Sequence, residues 1–401
     1  MLRRMPLFGL FVVLAGCGAA TPLPVRSTSS TPAPPTVTLA LVNATLIDGT
    51  GAPALPDAVL LVGGARIVAV GARSEVAIPA GVEILDLGGA TMLPGFINAH
   101  VHDAFDAARL ETWAFAGVTT VRDEGILSEA SLEDLLALRD ELGQDPRHAR
   151  LVSAGYMLCP PGGYGSREVP SAKAAARIVD EELDAGVDLI KLTMEEGYAS
   201  MHDLPLFSAE ELKALVDATH ARGALVSVHV CDARYVERLL DAGVDDLAHI
   251  QYDPVSDVLI QRIVDEGVYV VPTLTVLEAY GALPGAQSNL RRFAEAGVKL
   301  ALGNDYTAIP QNGFDHFDLG MPMHEITRMH EAGLTPMQII IAATQNAARV
   351  CGLEAELGTL EAGKFADVLV VEGDPLSDLE ALTLVRLVLH SGAIIRDSAQ
   401  P

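Results

Sequence analysis

His100 and His102, at the end of the run Phe96-Ile97-Asn98-Ala99-His100-Val101-His102, are the first residues of this chain whose types and spacing could do chemistry. Side chains alternate faces along a strand, so Phe96, Asn98, His100 and His102 are expected on one face, with Ile97, Ala99 and Val101 on the other. Two imidazoles at one strand end can bind one metal ion, at about 2.0–2.1 Å per Zn–N bond. Alone, the pair is equally well read as two unrelated histidines, one of them exposed. Lys191, His229, His249 and Asp305 occupy the same kind of position, each at or just past the end of a strand-like run. Parity groups Lys191 with Leu189 and Thr193, His229 with Ser227, His249 with Leu247, and Asp305 with Ala301 and Gly303. Each has an ordinary explanation by itself: a core histidine, a lysine snorkelling to solvent, a turn aspartate. Coincidence does not explain all of them at once.

These positions need a scaffold that gathers strand ends. Strand-like runs cover Phe96–His102, Val118–Arg122, Leu151–Met157, Leu189–Met194, Leu225–Val230, Asp246–Ile250, Val268–Thr273 and Lys299–Gly303. Helical patterns such as Leu132–Leu142, Ala172–Ala185, Ala209–Arg222, Tyr235–Ala242 and Val255–Glu266 lie between them, followed by Met323–Ala332 and Pro336–Cys351. Gly186, Gly223, Gly243, Gly267 and Gly297 fall at helix ends, where left-handed caps belong. This alternation over roughly 250 residues is that of an α/β (β/α)8 TIM barrel, whose chemistry sits at the carboxyl ends of the strands. An open doubly wound sheet would show a Gly-rich phosphate loop after an early strand, and none is present. Short strand-like runs at Val37–Val42, Ala58–Val62, Arg66–Val70 and Val82–Leu87, and again at Ala366–Val371, Leu384–His390 and Ala393–Arg396, flank this region. They predict a small β-sandwich domain built from both chain ends, at residues 37–93 plus 355–396, with the barrel at 94–354 inserted between its halves.

With 401 residues, half of them hydrophobic, the chain can bury a large core. A net charge of −26 argues against nucleic acid as a partner, which would need a basic footprint. Arg3 and Arg4, the apolar run Leu7–Leu14 and Ala15-Gly16-Cys17 have the charged, apolar and small-residue regions of an export signal. The apolar run is too short to span a bilayer. Leu14-Ala15-Gly16-Cys17 resembles a bacterial lipobox. The expectation is a signal peptide over 1–16, a lipid anchor at Cys17, a Ser/Thr/Pro-rich tether over 17–36 and a cell-envelope location at the outer membrane, facing the periplasm. Cys159, Cys231 and Cys351 then remain, an odd number that reads as small buried apolar residues and not as a disulfide framework.

From about Leu41 to Arg396 the chain resembles the amidohydrolase superfamily of metal-dependent hydrolases, within the imidazolonepropionase-like group. The motifs that carry the resemblance are Leu46–Gly51, Pro94–His102, Ala116–Asp123 (A-G-V-T-T-V-R-D), Gly186–Leu192, Val226–His229, Gly243–His249, Leu302–Asp305 and Gly358–Asp374. The resemblance implies two divalent ions, with zinc the first expectation because no redox step is needed. It places one ion on His100, His102 and Asp305 and the other on His229 and His249, with a carboxylated Lys191 bridging them. It further implies a hydroxide shared by the ions as nucleophile and Asp305 as its proton acceptor. The strand-4 lysine sets the chain apart from imidazolonepropionase itself, which resembles a mononuclear site.

Substrate contacts are expected from loops after the strands: Arg122, Tyr156, Arg234 and Tyr252 first, then the Gly162–Tyr164 turn, Glu195, Cys231 and Tyr306. A guanidinium can clamp a carboxylate bidentately, so Arg122 and Arg234 would suit a dipeptide or N-acyl amino acid. Cys231 stands where prolidase-like members carry a tyrosine, and Asn98 where the family often has aspartate. The leading expectation is hydrolysis of a C–N bond of amide or peptide type in a small molecule. Alternatives are a lactone, carbamate or phosphoester hydrolase, a mononuclear deaminase or cyclic amidase, and a metal-binding lipoprotein without catalysis. Homo-oligomerisation is left open.

Overall fold

A computed structural model describes residues 36–126, 130–197, 202–308 and 317–398. The expected signal peptide, Cys17 and all but the last residue of the expected tether lie outside the described residues. The described residues form one compact unit. Among the described residues no helix is long and apolar enough to cross a membrane.

The chain opens with β1 (Leu39–Leu46), β2 (Leu55–Gly63), β3 (Arg66–Ala72), β4 (Glu83–Asp86) and β5 (Thr91–Pro94). Next come β6 (Phe96–Val101), β7 (Val118–Asp123), β8 (Arg150–Ser153), β9 (Met157–Cys159), β10 (Arg167–Glu168), β11 (Leu189–Thr193), β12 (Leu225–His229), β13 (Asp246–Ala248), β14 (Tyr269–Val271) and β15 (Lys299–Leu300). It closes with β16 (Val368–Val371), β17 (Val385–His390) and β18 (Ala393–Asp397).

β6, β7 and β8 pair in parallel, as do β11 through β15 in order. Backbone hydrogen bonds join the two groups at both ends: Asp188 N to Ser153 O (2.9 Å), and Ala99 N to Leu302 O (2.7 Å). The circuit therefore closes into an eight-stranded parallel barrel with helices between the strands. Helix Ala209–Ala221 shows how local sequence sets the boundaries. Ser208 and Glu211 form a reciprocal capping box at its start. Helix Asp257–Glu266 starts on the Ser256 side chain and stops at Gly267, whose φ of 71° puts it in the left-handed region.

Several expectations need correction. The run Leu151–Met157 is two strands, broken at Gly155 (φ 66°). Helix Pro336–Cys351 is two helices, Pro336–Ala343 and Gln345–Val350, because Thr344 leaves helical geometry at φ −129°, ψ −87°. Strict alternation also fails in β6, where Ile97 and Ala99 join an apolar cluster with Leu189, Val271 and Ala301. Two register shifts against β7 break the period there. The flanking strands form one hydrogen-bonded sheet in the order β18-β17-β16-β5-β1-β2-β3, with β4 paired to β1. β5 pairs in parallel with β1 and antiparallel with β16, so both chain ends meet on it.

Arg122, at the end of β7, is fully buried. Its guanidinium donates to both oxygens of Asp246 on β13 (2.9 and 3.2 Å), to Ala99 O on β6 (2.7 Å) and to Val350 O (2.8 Å). Its Nε also lies 2.7 Å from Glu124 Oε1. Two buried carboxylates thus share one guanidinium. Removing one partner of a buried pair leaves an uncompensated charge and costs about 3–5 kcal/mol. Arg122→Leu is expected to lower unfolding stability by about that amount, read as a fall in the urea midpoint; an unchanged midpoint would refute the structural role.

Candidate metal centre and substrate cavity

Strand ends β6, β11, β12 and β13, with the segment after β15, deliver His100, His102, Lys191, His229, His249 and Asp305 to one cavity of about 650 Å³. The order of those strands round the barrel decides which groups meet. β15 neighbours β6 through Asp305 N to His100 O (2.9 Å) and His102 N to Tyr306 O (2.7 Å), so Asp305 faces the two first-strand histidines. Its Oδ1 lies 3.1 Å from His100 Nε2 and 3.3 Å from His102 Nε2. Oδ1 is buried and has no satisfactory hydrogen bond of its own. The backbone at Asp305 holds a left-handed φ of 54°, a conformation that aspartate tolerates better than most residues.

His229 and His249 form the second group, and the tautomer of His249 follows from its partners. Thr273 Oγ1 donates to Pro272 O (2.7 Å), so it must accept from His249 Nδ1, 2.5 Å away. That leaves His249 Nε2 without a proton and able to accept from His229 Nδ1, 3.0 Å away. Glu195 Oε2 lies 3.4 Å from His229 Nε2 on the other side of that ring. A cation between the two facing nitrogens would take the place of the shared proton. Each group thus presents a donor set that a divalent metal would satisfy: His100, His102 and Asp305 in one, and His229 and His249 with Cys231 in the other.

Charge inside the site follows from burial and from the partners. Burial pulls the His100 imidazole down to about 4 and takes His249 well below its usual range. Burial would also depress His102, but the Asp305 carboxylate outweighs it and holds His102 up at about 9. Burial would raise Asp305, yet His100 and His102 bring it well below the usual carboxylate range.

Lys191 on β11 ion-pairs through Nζ with Glu124 Oε2, a buried carboxylate one residue past β7. Burial would raise Glu124, but Arg122 and Lys191 together bring it down to about 2. Ser227 Oγ lies within 2.8 Å of Glu124 Oε2 and 2.7 Å of Asp246 Oδ1. Sequence reasoning misses Glu124 because the motif it recognises closes at Asp123. A signal is nevertheless present: an acidic residue at a barrel-strand end, two positions from Arg122.

The substrate expectations divide. Tyr252, Tyr164, Glu195 and Cys231 line the cavity. Arg122 does not, because its guanidinium is fully engaged inside the barrel. Arg234 is exposed, donates to Asp232 and Glu196, and is not among the lining residues. The expected guanidinium clamp is therefore not built. Tyr156 accepts from Leu132 N (3.2 Å) and Tyr306 packs edge-on against Trp113 at 5.2 Å, both away from the lining. Apolar contributions come instead from Val276, Leu277 and Tyr280 in and after helix Leu274–Ala279, an element the sequence pattern does not announce.

A parallel barrel with imidazoles, a carboxylate and a lysine converging at its carboxyl face is the arrangement of a metal-dependent barrel hydrolase. A family model described as "Amidohydrolase family" matches residues 91–395, and the chain belongs to that family. It is a hydrolase of that family. It is 28% identical over 380 residues to an imidazolonepropionase of Symbiobacterium thermophilum, covering 79% of this chain and 85% of that protein. A putative prolidase from Bifidobacterium longum superposes with a TM-score of 0.74 at 30% identity, over 89% of this chain and 94% of that one. Ochratoxinase of A. niger superposes with a TM-score of 0.78 at 21% identity, over 90% and 96%, which shows the shared fold.

The His102–Asp305 pair generates a pH prediction. In the metal-free protein His102 carries a proton up to about pH 9. A cation on its Nε2 must displace that proton. One proton is therefore expected to leave with each ion bound there at neutral pH, and affinity to rise about tenfold per pH unit until pH nears 9. Titration calorimetry in buffers of different ionisation enthalpy reads this directly, and proton-neutral binding at neutral pH would refute it.

Proposed function

We propose that this protein hydrolyses an amide-type C–N bond of a small molecule with two divalent ions, zinc the first expectation, bound at the barrel mouth. The observation that carries the reading is the pair of adjacent donor sets, each with basic nitrogens aimed at a common point. His100, His102 and Asp305 would hold one ion, and His229 and His249 the other, with Lys191 bridging them once its amine is carboxylated. Bound there, divalent ions supply Lewis acidity and lower the pKa of water.

The chain's own residues supply the rest. Asp305 Oδ1 lies beside both first-strand histidines, so Asp305 takes the proton from the attacking water and returns it to the leaving nitrogen. Thr273 and Glu195 fix the two other imidazoles, so their orientation is set before substrate arrives. The wall formed by Val276, Leu277 and Tyr280 keeps an apolar substrate group out of water. Tyr164 and Tyr252 frame the cavity with hydroxyl-bearing rings, a lining suited to a neutral polar substrate with an apolar arm. Lacking a guanidinium clamp, the cavity favours such a substrate over one anchored by a free carboxylate.

The export signal and lipobox support a further reading in which the enzyme is carried to the cell envelope on a lipid at Cys17.

Asp305→Asn keeps the backbone conformation accessible and removes the proton acceptor. It is expected to lower kcat by about 10²–10⁴-fold while leaving metal bound, measured by metal analysis beside turnover of a panel of N-acyl amino acids, dipeptides, neutral amides and lactones. Full activity in Asp305→Asn would end the mechanism. Turnover of lactones with no amide cleaved would end the substrate class.

A further inference from the structure

The second histidine pair has a third neighbour with chemistry of its own. Cys231 follows His229 by two residues, just past β12, and lines the cavity. Its Sγ, one nitrogen of His229 and one of His249 all lie within 4.8 Å of one another. The backbone holds it there: Tyr252 N donates to Cys231 O (3.3 Å), tying this segment to the one that follows His249. With a metal bound, these two nitrogens and the sulfur would form a mixed imidazole–thiolate donor set, of the kind zinc accepts at about 2.0–2.1 Å to nitrogen and about 2.3 Å to sulfur.

Charge balance points the same way. The first donor set contains a carboxylate, whereas the second, if limited to His229 and His249, is neutral. The amine that would bring an anion to it, Lys191, is paired with Glu124 in its unmodified form. Burial, with Glu195 and Asp305 nearby, keeps the Cys231 thiol protonated in the metal-free site, so its anion would form only as a metal displaces the proton, beside the carboxylated Lys191 of the two-ion reading. Cys159 and Cys351 are buried, the latter in an apolar cluster with Ala347 and Ala348, and neither lies in a metal-like group among the described residues.

We propose that Cys231 is a metal ligand, its thiolate joining His229 and His249 around the second divalent ion. This rests on the two-ion reading given above. Ligation breaks the S–H bond heterolytically: the proton leaves to solvent, and a sulfur lone pair forms the bond to the metal. No oxidant or reductant is involved. The position that prolidase-like relatives give to a tyrosine thereby becomes part of the metal centre, and the loop after β12 is tied to the ion.

The test uses the full chain loaded with cobalt(II), which takes zinc sites and reports thiolate ligation by a charge-transfer band in the near ultraviolet. Wild type is expected to show the band with two ions bound, and Cys231→Ser to lose it. Metal loading is also expected to slow alkylation of Cys231 by iodoacetamide about tenfold or more relative to the metal-free protein, with Cys159 and Cys351 as internal references. Two bound ions without a band in wild type, or a band retained in Cys231→Ser, would overturn the ligand and leave the two-ion reading standing. One bound ion and no band would overturn both. One bound ion with a band lost in Cys231→Ser would uphold the ligand and remove the two-ion reading. Because the wild-type spectrum alone can refute the proposal, it does not depend on the variant folding.

Discussion

Charge buried inside a closed barrel must be neutralised on the spot, and Arg122 is where that constraint is met. Its guanidinium touches Asp246 on β13 and lies against Glu124 past β7, while it also bonds carbonyls from β6 and from helix Gln345–Val350. Glu124 carries the constraint upward to Lys191, and Ser227 links it to β12. The barrel strands that carry metal-facing side chains are thus fastened beneath the mouth by one polar cluster. Water has no access there, so every member depends on its neighbours to remain ionised. An apolar floor of equal volume would pack more cheaply, but it would not fix the rotational setting of four strands around one axis.

Above that floor, the hydrogen bonds to the ligand histidines are directional. Gly125 O accepts from His102 Nδ1 at 2.8 Å, Thr273 from His249, and Glu195 from His229. Each fixes the far side of its ring and turns the near nitrogen toward the cavity. Two residues of the site stand on costly backbone. Thr273, a β-branched residue, sits at φ 50°, and Asp305 at φ 54°. Left-handed geometry at two positions of one site means that the surrounding structure supplies the free energy to hold them.

The barrel and the converging side chains are legible because period-2 strands and glycine-ended helices repeat often enough to outweigh local errors. Lys191, His229, His249 and Asp305 can be picked out by position alone, as ionisable residues at strand ends. Arg122 misleads for the same reason. A strand-end arginine near a site looks like a substrate clamp, and only the three-dimensional path of β13 shows Asp246 waiting for it. Glu124 is easily passed over because two of its partners, Lys191 and Ser227, lie 67 and 103 positions away. The β6 parity error has a local cause, since bulges leave no mark on hydrophobic pattern when every residue of the strand is buried. Helix Leu274–Ala279 escapes notice because six residues carry too little periodicity to announce themselves.

β5 pairs with β1 on one side and with β16 on the other. Thr91–Pro94 is made long before its partner Val368–Val371, with the whole barrel between them. For most of synthesis, therefore, one flank of that apolar strand has nothing of its own to bond. A growing chain with an open strand edge is a target for other growing chains. Closing so long a loop also adds entropic cost to the last step of sheet assembly. The pairing that makes these distant strands neighbours leaves one edge of β5 open for the interval between its own synthesis and that of β16.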